Sequence, residues 1–206
     1  VTPVKTQLMI VNSTLNTDAE PVAKGWRIAG MQYMRSALKG LGSPVNGHMV
    51  ENGDGSATYF ADSGAVAADF TTLTFDKVAT WTRTYQDSSR ILFDGGGRMV
   101  AAIDRLGRRT DFRYGGPGNW NVTAIVNPMR VAGSTSAPYD SLAYDANGHL
   151  TAIIEVSGPN GGTIGRTTLV TVDGNGHLTR ITDPDGGYDS YGYDGSGRLH
   201  TITDRR

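Results

Sequence analysis

Residues 172–183, VDGNGHLTRITD, recur 21 residues later at residues 193–204 as YDGSGRLHTITD. Two earlier copies stand at residues 144–153, YDANGHLTAI, and at residues 93–104, FDGGGRMVAAID. Self-similarity at a fixed period of about 20 to 50 residues is the sequence signature of a repeat architecture. The chain is therefore predicted to be a repeat protein.

The residue before the repeated Asp marks where each unit begins. These anchors are separated by 21, 30, 28 and 21 residues, so two units carry insertions, which the loops at residues 131–138 and 158–162 can hold. In the second unit, residues 115–120 (GGPGNW) replace the Asp-x-x-Gly turn. The five anchors are Phe93, Tyr114, Tyr144, Val172 and Tyr193.

Each copy has the chemistry of a tight turn followed by a strand. An Asp carboxylate can accept the amide two residues on, and a Gly at the fourth position takes a positive φ without steric cost. The predicted turn residues are Asp94, Gly97, Asp145, Gly148, Asp173, Gly176, Asp194 and Gly197. In the strand that follows, Leu178 and Ile181 have opposite parity. A bulge, a strong twist or a sheet covered on both faces would reconcile them.

The chain divides by pattern into three segments: a β-rich lead-in at residues 1–45, a hairpin region at 46–92 and the repeats at 93–206, which could form one continuous domain. Strands are predicted at residues 4–11 and 25–31, whereas residues 32–41 have a helix-friendly composition interrupted by Gly40. Alternating polarity predicts further strands at residues 48–51, 57–61, 71–75, 79–85 and 90–93. The predicted fold is all-β, with spiralling antiparallel hairpin repeats forming a curved sheet or an open shell.

Composition excludes several classes of protein. With 19 basic and 20 acidic residues the net charge is −1, which gives no field to attract nucleic acid or anionic lipid. Cysteine is absent, so no disulfide, thiolate metal site or cysteine nucleophile is present. No run of 18 apolar residues occurs, and no membrane insertion is expected. Because the sequence begins at Val1 and breaks off within a repeat, we interpret it as a piece of a longer polypeptide.

The pattern Tyr-Asp-x-x-Gly-Arg-Leu-x-x-Ile-x-Asp resembles the YD repeat of the RHS family. The resemblance is strongest over residues 93–204, and residues 25–30 (GWRIAG) and 54–60 (DGSATYF) are similar to the segment that leads into such repeats. It implies a hollow shell of hairpins, which encloses a C-terminal toxin in bacterial polymorphic toxins and belongs to adhesion receptors in animals. The family's self-cleaving Asp-Pro motif is not evident, because Asp183-Pro184 lies in an ordinary repeat turn.

The leading functional hypothesis is a structural module without catalysis or cofactor: the wall of a shell or filament that encloses cargo or presents a binding surface. Its expected partners are further repeats of the parent chain or further copies of itself, joined through exposed strand edges. Family resemblance alone implies an extracellular or cell-surface location.

The main alternative is a carbohydrate-binding surface, since aromatic rings beside Asp and Asn suit sugars. Its candidate ligand-binding residues are Trp120, Tyr188, Tyr191 and Tyr193. The competing interpretation is that these tyrosines stack on equivalent tyrosines of neighbouring repeats.

Metal binding and catalysis find little support in the pattern. Asp173-x-Asn175-x-His177 has the spacing of a calcium loop, but it lacks the Gly at position 6 and the Glu at position 12. His149 and His177 stand where Arg98 and Arg198 stand in other copies, which favours side chains that face solvent or a carboxylate. A pair of acids acting on a polysaccharide remains a third hypothesis, although no motif singles one out.

Overall fold

The computed structural model describes residues 8–10, 22–37, 46–62, 67–116, 119–128, 137–157 and 163–205. Every regular element in these residues is a β-strand, and neighbouring strands pair antiparallel wherever their register is defined. The all-β hairpin architecture predicted from the sequence is confirmed. The predicted insertion loops at residues 131–138 and 158–162 lie mostly or wholly outside the described residues.

The first five strands form two small sheets. One pairs β1 (Leu8–Ile10) with β2 (Trp26–Ile28), and the other has the order β3 (Tyr33–Ala37), β4 (Gly47–Glu51), β5 (Ala57–Ala61). The suggested helical character of residues 32–41 is wrong for residues 33–37, which are a strand. They pair with β4 from Tyr33↔Glu51 to Ala37↔Gly47, so cross-strand pairing outweighs a modest helix propensity.

Twelve strands follow in sequence order from one sheet edge, β6, to the other, β17. They are β6 (Thr72–Phe75), β7 (Trp81–Thr84), β8 (Arg90–Phe93), β9 (Met99–Ile103), β10 (Arg109–Tyr114), β11 (Val122–Val126), β12 (Tyr139–Tyr144), β13 (Leu150–Ser157), β14 (Thr163–Val172), β15 (Leu178–Thr182), β16 (Tyr188–Tyr193) and β17 (Leu199–Thr203).

The chain has two compact units. One contains Val1–Ile28 and Arg113–Arg206, and the other contains Ala29–Phe112, so the division falls within β10. The three-segment division of the sequence at 45/46 and 92/93 stays a prediction. In the described residues no helix is long and apolar enough to cross a bilayer.

A β-bulge recurs after the repeat turn and resolves the parity of Leu178 and Ile181. Val172 pairs with Leu178, but Thr171 pairs with Arg180, so Thr179 is an extra residue in its strand. Because Ile181 then pairs with Val170, Leu178 and Ile181 lie on the same face as Val172 and Val170. Of the three explanations the sequence left open, the structure contains the bulge.

The same register shift occurs in three other units, where the extra residues are Val100, Thr151 and His200. The bulge threonines donate across the ladder, from Thr179 Oγ1 to Thr171 O at 3.1 Å and from Thr151 Oγ1 to Ala143 O at 3.1 Å. Thr123 in the degenerate unit makes the same contact with Arg113 O at 3.3 Å. These hydroxyls satisfy carbonyls beside the bulge and so stabilise it locally.

Candidate functional site

The repeat turns are built around a carboxylate that accepts backbone amides. Asp173 Oδ1 accepts from Asn175 N at 2.9 Å and from His177 N at 2.8 Å. Gly176 N donates to Asp173 O at 3.0 Å, and Asp173 N donates to His177 O at 2.9 Å. This is a three-residue hairpin loop with Gly in the left-handed position. Asp94, Asp145 and Asp194, with Gly97, Gly148 and Gly197, lie in turns of the same geometry.

Asp104 forms a further turn of this type, which the sequence analysis did not single out. Its Oδ1 accepts from Leu106 N and Arg108 N, both at 2.9 Å, and Gly107 N donates to Asp104 O. The Asp-x-x-Gly signal was present in residues 104–107. It was not predicted because this turn closes the other end of the hairpin, where Ile103 and Arg109 stand in place of the Tyr before the Asp and the Leu after the Gly.

In several of these turns the amides favour the charged form of the carboxylate. The backbone hydrogen bond from Arg108 is the main cause that lowers the pKa of Asp104, and those from His149 and His177 do the same for Asp145 and Asp173. A carboxyl group with a lowered pKa is ionised near neutral pH. Such a group is a poor general acid, since glycoside hydrolysis needs an acid whose pKa is raised.

The side chain after the turn Gly pairs with the turn Asp. Arg98 lies 2.7 Å and Arg198 2.9 Å from the carboxylates of Asp94 and Asp194. His149 Nδ1 and His177 Nδ1 lie 3.3 and 3.4 Å from the corresponding carboxylates. Both histidines thus face a carboxylate, as their exchange with Arg indicates. No group of three or more His, Asp or Glu side chains in the described residues is arranged to hold a metal.

A lead-in segment, residues 22–28, docks onto the turns of its own unit. Lys24 N donates to Gly176 O at 2.9 Å, and Leu150 N donates to Val22 O at 3.2 Å. Val22, Trp26 and Ile28 are buried. Apolar burial and backbone hydrogen bonds therefore hold one short segment against two successive repeats.

Two of the predicted ligand-binding tyrosines pack against this segment. Trp26 Nε1 donates to Tyr193 OH at 3.0 Å, and the ring of Trp26 meets Tyr191 edge-on with centroids 4.7 Å apart. Tyr193 OH donates to Leu178 O at 2.9 Å, and His177 stacks on the Tyr193 ring at 4.5 Å. Burial is the main cause that raises the pKa values of Tyr191 and Tyr193. Their neighbours are Trp26 and His177, rather than the tyrosine ladder considered above.

Tyr188 and Trp120 lie elsewhere. Tyr188 has the opposite parity to Tyr191 and Tyr193 on β16, so it points to the other face of the sheet, where it is 46% exposed. The Arg180 guanidinium lies over its ring, 4.1 Å from the centroid. Trp120 is half-buried just before β11. The four candidate aromatic residues therefore do not share one face of β16.

A buried arginine, which no sequence pattern indicated, organises the other unit. The side chain of Arg83 is 2% exposed and forms an ion pair with Asp69 at 2.5 Å. All of its remaining donors are used as well, on Thr71 Oγ1, Gln32 Oε1, Asn52 Oδ1 and Thr58 Oγ1. Burial alone would raise the pKa of Asp69, but hydrogen bonds from Thr71 and Thr58 and the charge of Arg83 lower it.

The strand order and the recurring turn define an antiparallel β-hairpin repeat protein. The RHS Repeat family model matches residues 172–206, which include the two cleanest copies of the phrase. Over this segment the match confirms the RHS-family resemblance predicted from the sequence pattern. No curated protein matches the chain significantly.

Proposed function

We propose that the chain is a non-catalytic wall segment of an RHS-type shell or filament, whose last strand receives a further repeat. One observation carries this proposal: burial at equivalent positions is lost at the last repeat. Leu150 and Leu178 are both 0% exposed, whereas Leu199 is half-buried. Ile153 is 7% exposed, but the equivalent Ile202 is 54% exposed. Each inner strand of the sheet has a neighbour on both sides, whereas in the described part of the chain β17 pairs only with β16.

The wall would enclose cargo or present a binding surface, and the family resemblance supports a location outside the cell or on its surface. The hydrogen bonds that the turn carboxylates already accept support a role without catalysis. The turn Asp residues receive backbone amides, and several also pair with Arg or His. Conversion of a polysaccharide by the purified chain, lost on changing one carboxylate pair, would contradict this part of the proposal.

The test is to extend the array by one period. A copy of residues 184–204 is appended after Asp204, and a scrambled version of the same 21 residues serves as the control. A native extension would cover Leu199 and Ile202, so amide exchange within β17 is expected to slow by about tenfold or more. Equal exchange rates in β17 for the native and scrambled extensions would contradict the wall proposal.

Tyr188 supports a second candidate function, glycan binding. It is the one exposed aromatic residue among the four candidates, and Arg180 beside it can donate hydrogen bonds to hydroxyl groups. Binding on a glycan array that is lost with Tyr188→Ala and kept with Trp120→Ala would support this function at β16. The absence of any glycan signal would leave the wall role alone.

A further inference from the structure

Exposed apolar side chains concentrate around the first strand of the repeat sheet. In the described residues seven large hydrophobic side chains are exposed, and three of them lie within residues 70–78. Phe70 is 67% exposed, Phe75 41% and Val78 85%. Among the described residues, the strand between them, β6, has no partner strand on its outer side, and it carries no charged residue or proline, the usual protection of a free edge.

The backbone conformation at Phe70 is a second unusual feature of this exposed apolar region. Phe70 N donates to Ala67 O and Ala67 N donates to Thr71 O, as in the repeat turns, and Phe70 has a φ of 60°. In the repeat turns the equivalent position is glycine, for example Gly97 and Gly176. A bulky residue is unfavourable in the left-handed region, and this side chain recovers little by burial because most of it is exposed.

A row of apolar side chains crosses adjacent strands and ends at this sheet edge, β6. Phe75 pairs with Trp81, Trp81 with Phe93, and Phe93 with Met99, so all four lie on one face. Met99 and Phe93 are buried, Trp81 is half-buried, and Phe75 is exposed. The Phe75 and Trp81 rings stack with centroids 4.8 Å apart. The row is covered at every position except its end, so an added strand with an apolar residue opposite Phe75 would complete it.

We propose that the occupant is a second copy of this chain, paired antiparallel through β6 about a two-fold axis at Thr74. In that register Leu73 lies opposite Phe75 of the second copy, and Phe75 lies opposite its Leu73. Leu73 and Phe75 share a face, so the apolar row continues across the junction while Thr74 of one copy lies opposite Thr74 of the other on the other face.

The flanking residues fit the same arrangement. Antiparallel pairing brings the start of one β6 beside the end of the other, so Phe70 lies beside Val78 of the second copy. The three exposed apolar residues are thus covered in a single interface, and the contact is isologous and closes at a dimer. This inference concerns the β6 edge and goes beyond the proposed wall role, which rests on β17.

The first experiment measures mass by sedimentation over about 1 to 100 μM, a range suited to a small interface. The wild-type chain is expected to pass from monomer to dimer. Thr74→Lys places two like charges opposite each other at the axis and is expected to leave a monomer over the whole range. The control, Thr203→Lys, makes the same change at an exposed position on the other edge strand and is expected to dimerise like the wild type.

The second experiment uses the absence of cysteine from the chain. Because any disulfide must then join two molecules, Thr74→Cys is expected to give a covalent dimer under mild oxidation, whereas Thr203→Cys is not. A wild-type chain that stays monomeric over the whole range would overturn the proposal. So would growth beyond the dimer, which indicates head-to-tail joining of β6 to β17, or cross-linking that is stronger through Thr203→Cys.

Discussion

At the scale of single residues, the repeat depends on two local devices: a turn closed by an Asp carboxylate and a left-handed Gly, and a β-bulge in the strand that follows it. The turn could be predicted because Asp and Gly have well-defined roles at fixed spacing. The bulge at Thr179 could only be offered as one of three explanations, since its cause lies in the register with Thr171 and Val172. A threonine hydroxyl that caps a carbonyl across the ladder carries no local signature that distinguishes it from any other strand threonine.

Replacing turn glycines tests what packs against the turns. Gly97 and Gly186 have nearly equal φ values, 86° and 88°. A Cβ at Gly186 would have nothing within 4 Å, whereas a Cβ at Gly97 would clash with Met34 O, whose residue also donates its amide to Gly97 O. Gly186→Ala is expected to cost about 1 to 2 kcal/mol for the left-handed backbone alone.

Gly97→Ala is expected to cost about 3 kcal/mol or more, because it adds the displacement of β3 to the same backbone strain. Urea unfolding of both variants measures the difference. Equal losses for the two variants would mean that the contact between β3 and the Gly97 turn contributes nothing to stability.

At the scale of elements, the side chain of Arg83 connects β7 to the neighbouring turn and hairpin. Its guanidinium joins the turn at Asp69 to the β4–β5 hairpin through Asn52 and Thr58. The alternating sequence predicts a strand correctly and puts Arg83 on the face of Trp81 and Tyr85, yet an arginine is almost never fully buried unless its charge is paired. Five partners distant in sequence make its burial tolerable, and no local pattern shows that they converge.

Arg83→Met is expected to destabilise this unit by about 3 kcal/mol, the lower end of the range for breaking a buried pair, since Asp69 keeps 38% exposure. The matched control is Arg109→Met, whose pair with Asp111 is exposed and whose loss is expected to cost less than about 1 kcal/mol. Unfolding midpoints in urea measure both. Similar losses at the two sites would contradict the buried network as a source of stability.

At the scale of the whole molecule, the sequence predicted the class of fold because one phrase is repeated and each copy encodes a complete turn and strand. It did not predict what covers the repeats. The contacts of Trp26 with Tyr191 and Tyr193 join residues more than 160 positions apart, beyond the reach of any period. Because of those contacts, two of the candidate ligand-binding residues, Tyr191 and Tyr193, pack beside Trp26, whereas Tyr188 is exposed.

Because the turn is repeated, the whole array is expected to lose stability at low pH. Amide hydrogen bonds lower the pKa of turn carboxylates along the chain, to about 2 at Asp76 and in the same direction at Asp104, Asp145, Asp173 and Asp194. Because the unfolded chain binds these protons first, near a pKa of about 3.9, this stabilisation is present above pH 4 and is lost as the pH falls toward 2.

Urea unfolding at a series of pH values from about 6 to 2 measures this loss, and Asp104→Asn isolates one turn. The variant keeps an acceptor for the amides of Leu106 and Arg108 but does not titrate. It is therefore expected to be less stable than the wild type at pH 6 and to converge with it near pH 2. A stability difference that stays constant across the range would show that the Asp104 carboxylate stabilises the turn without being coupled to protonation, contrary to its lowered pKa.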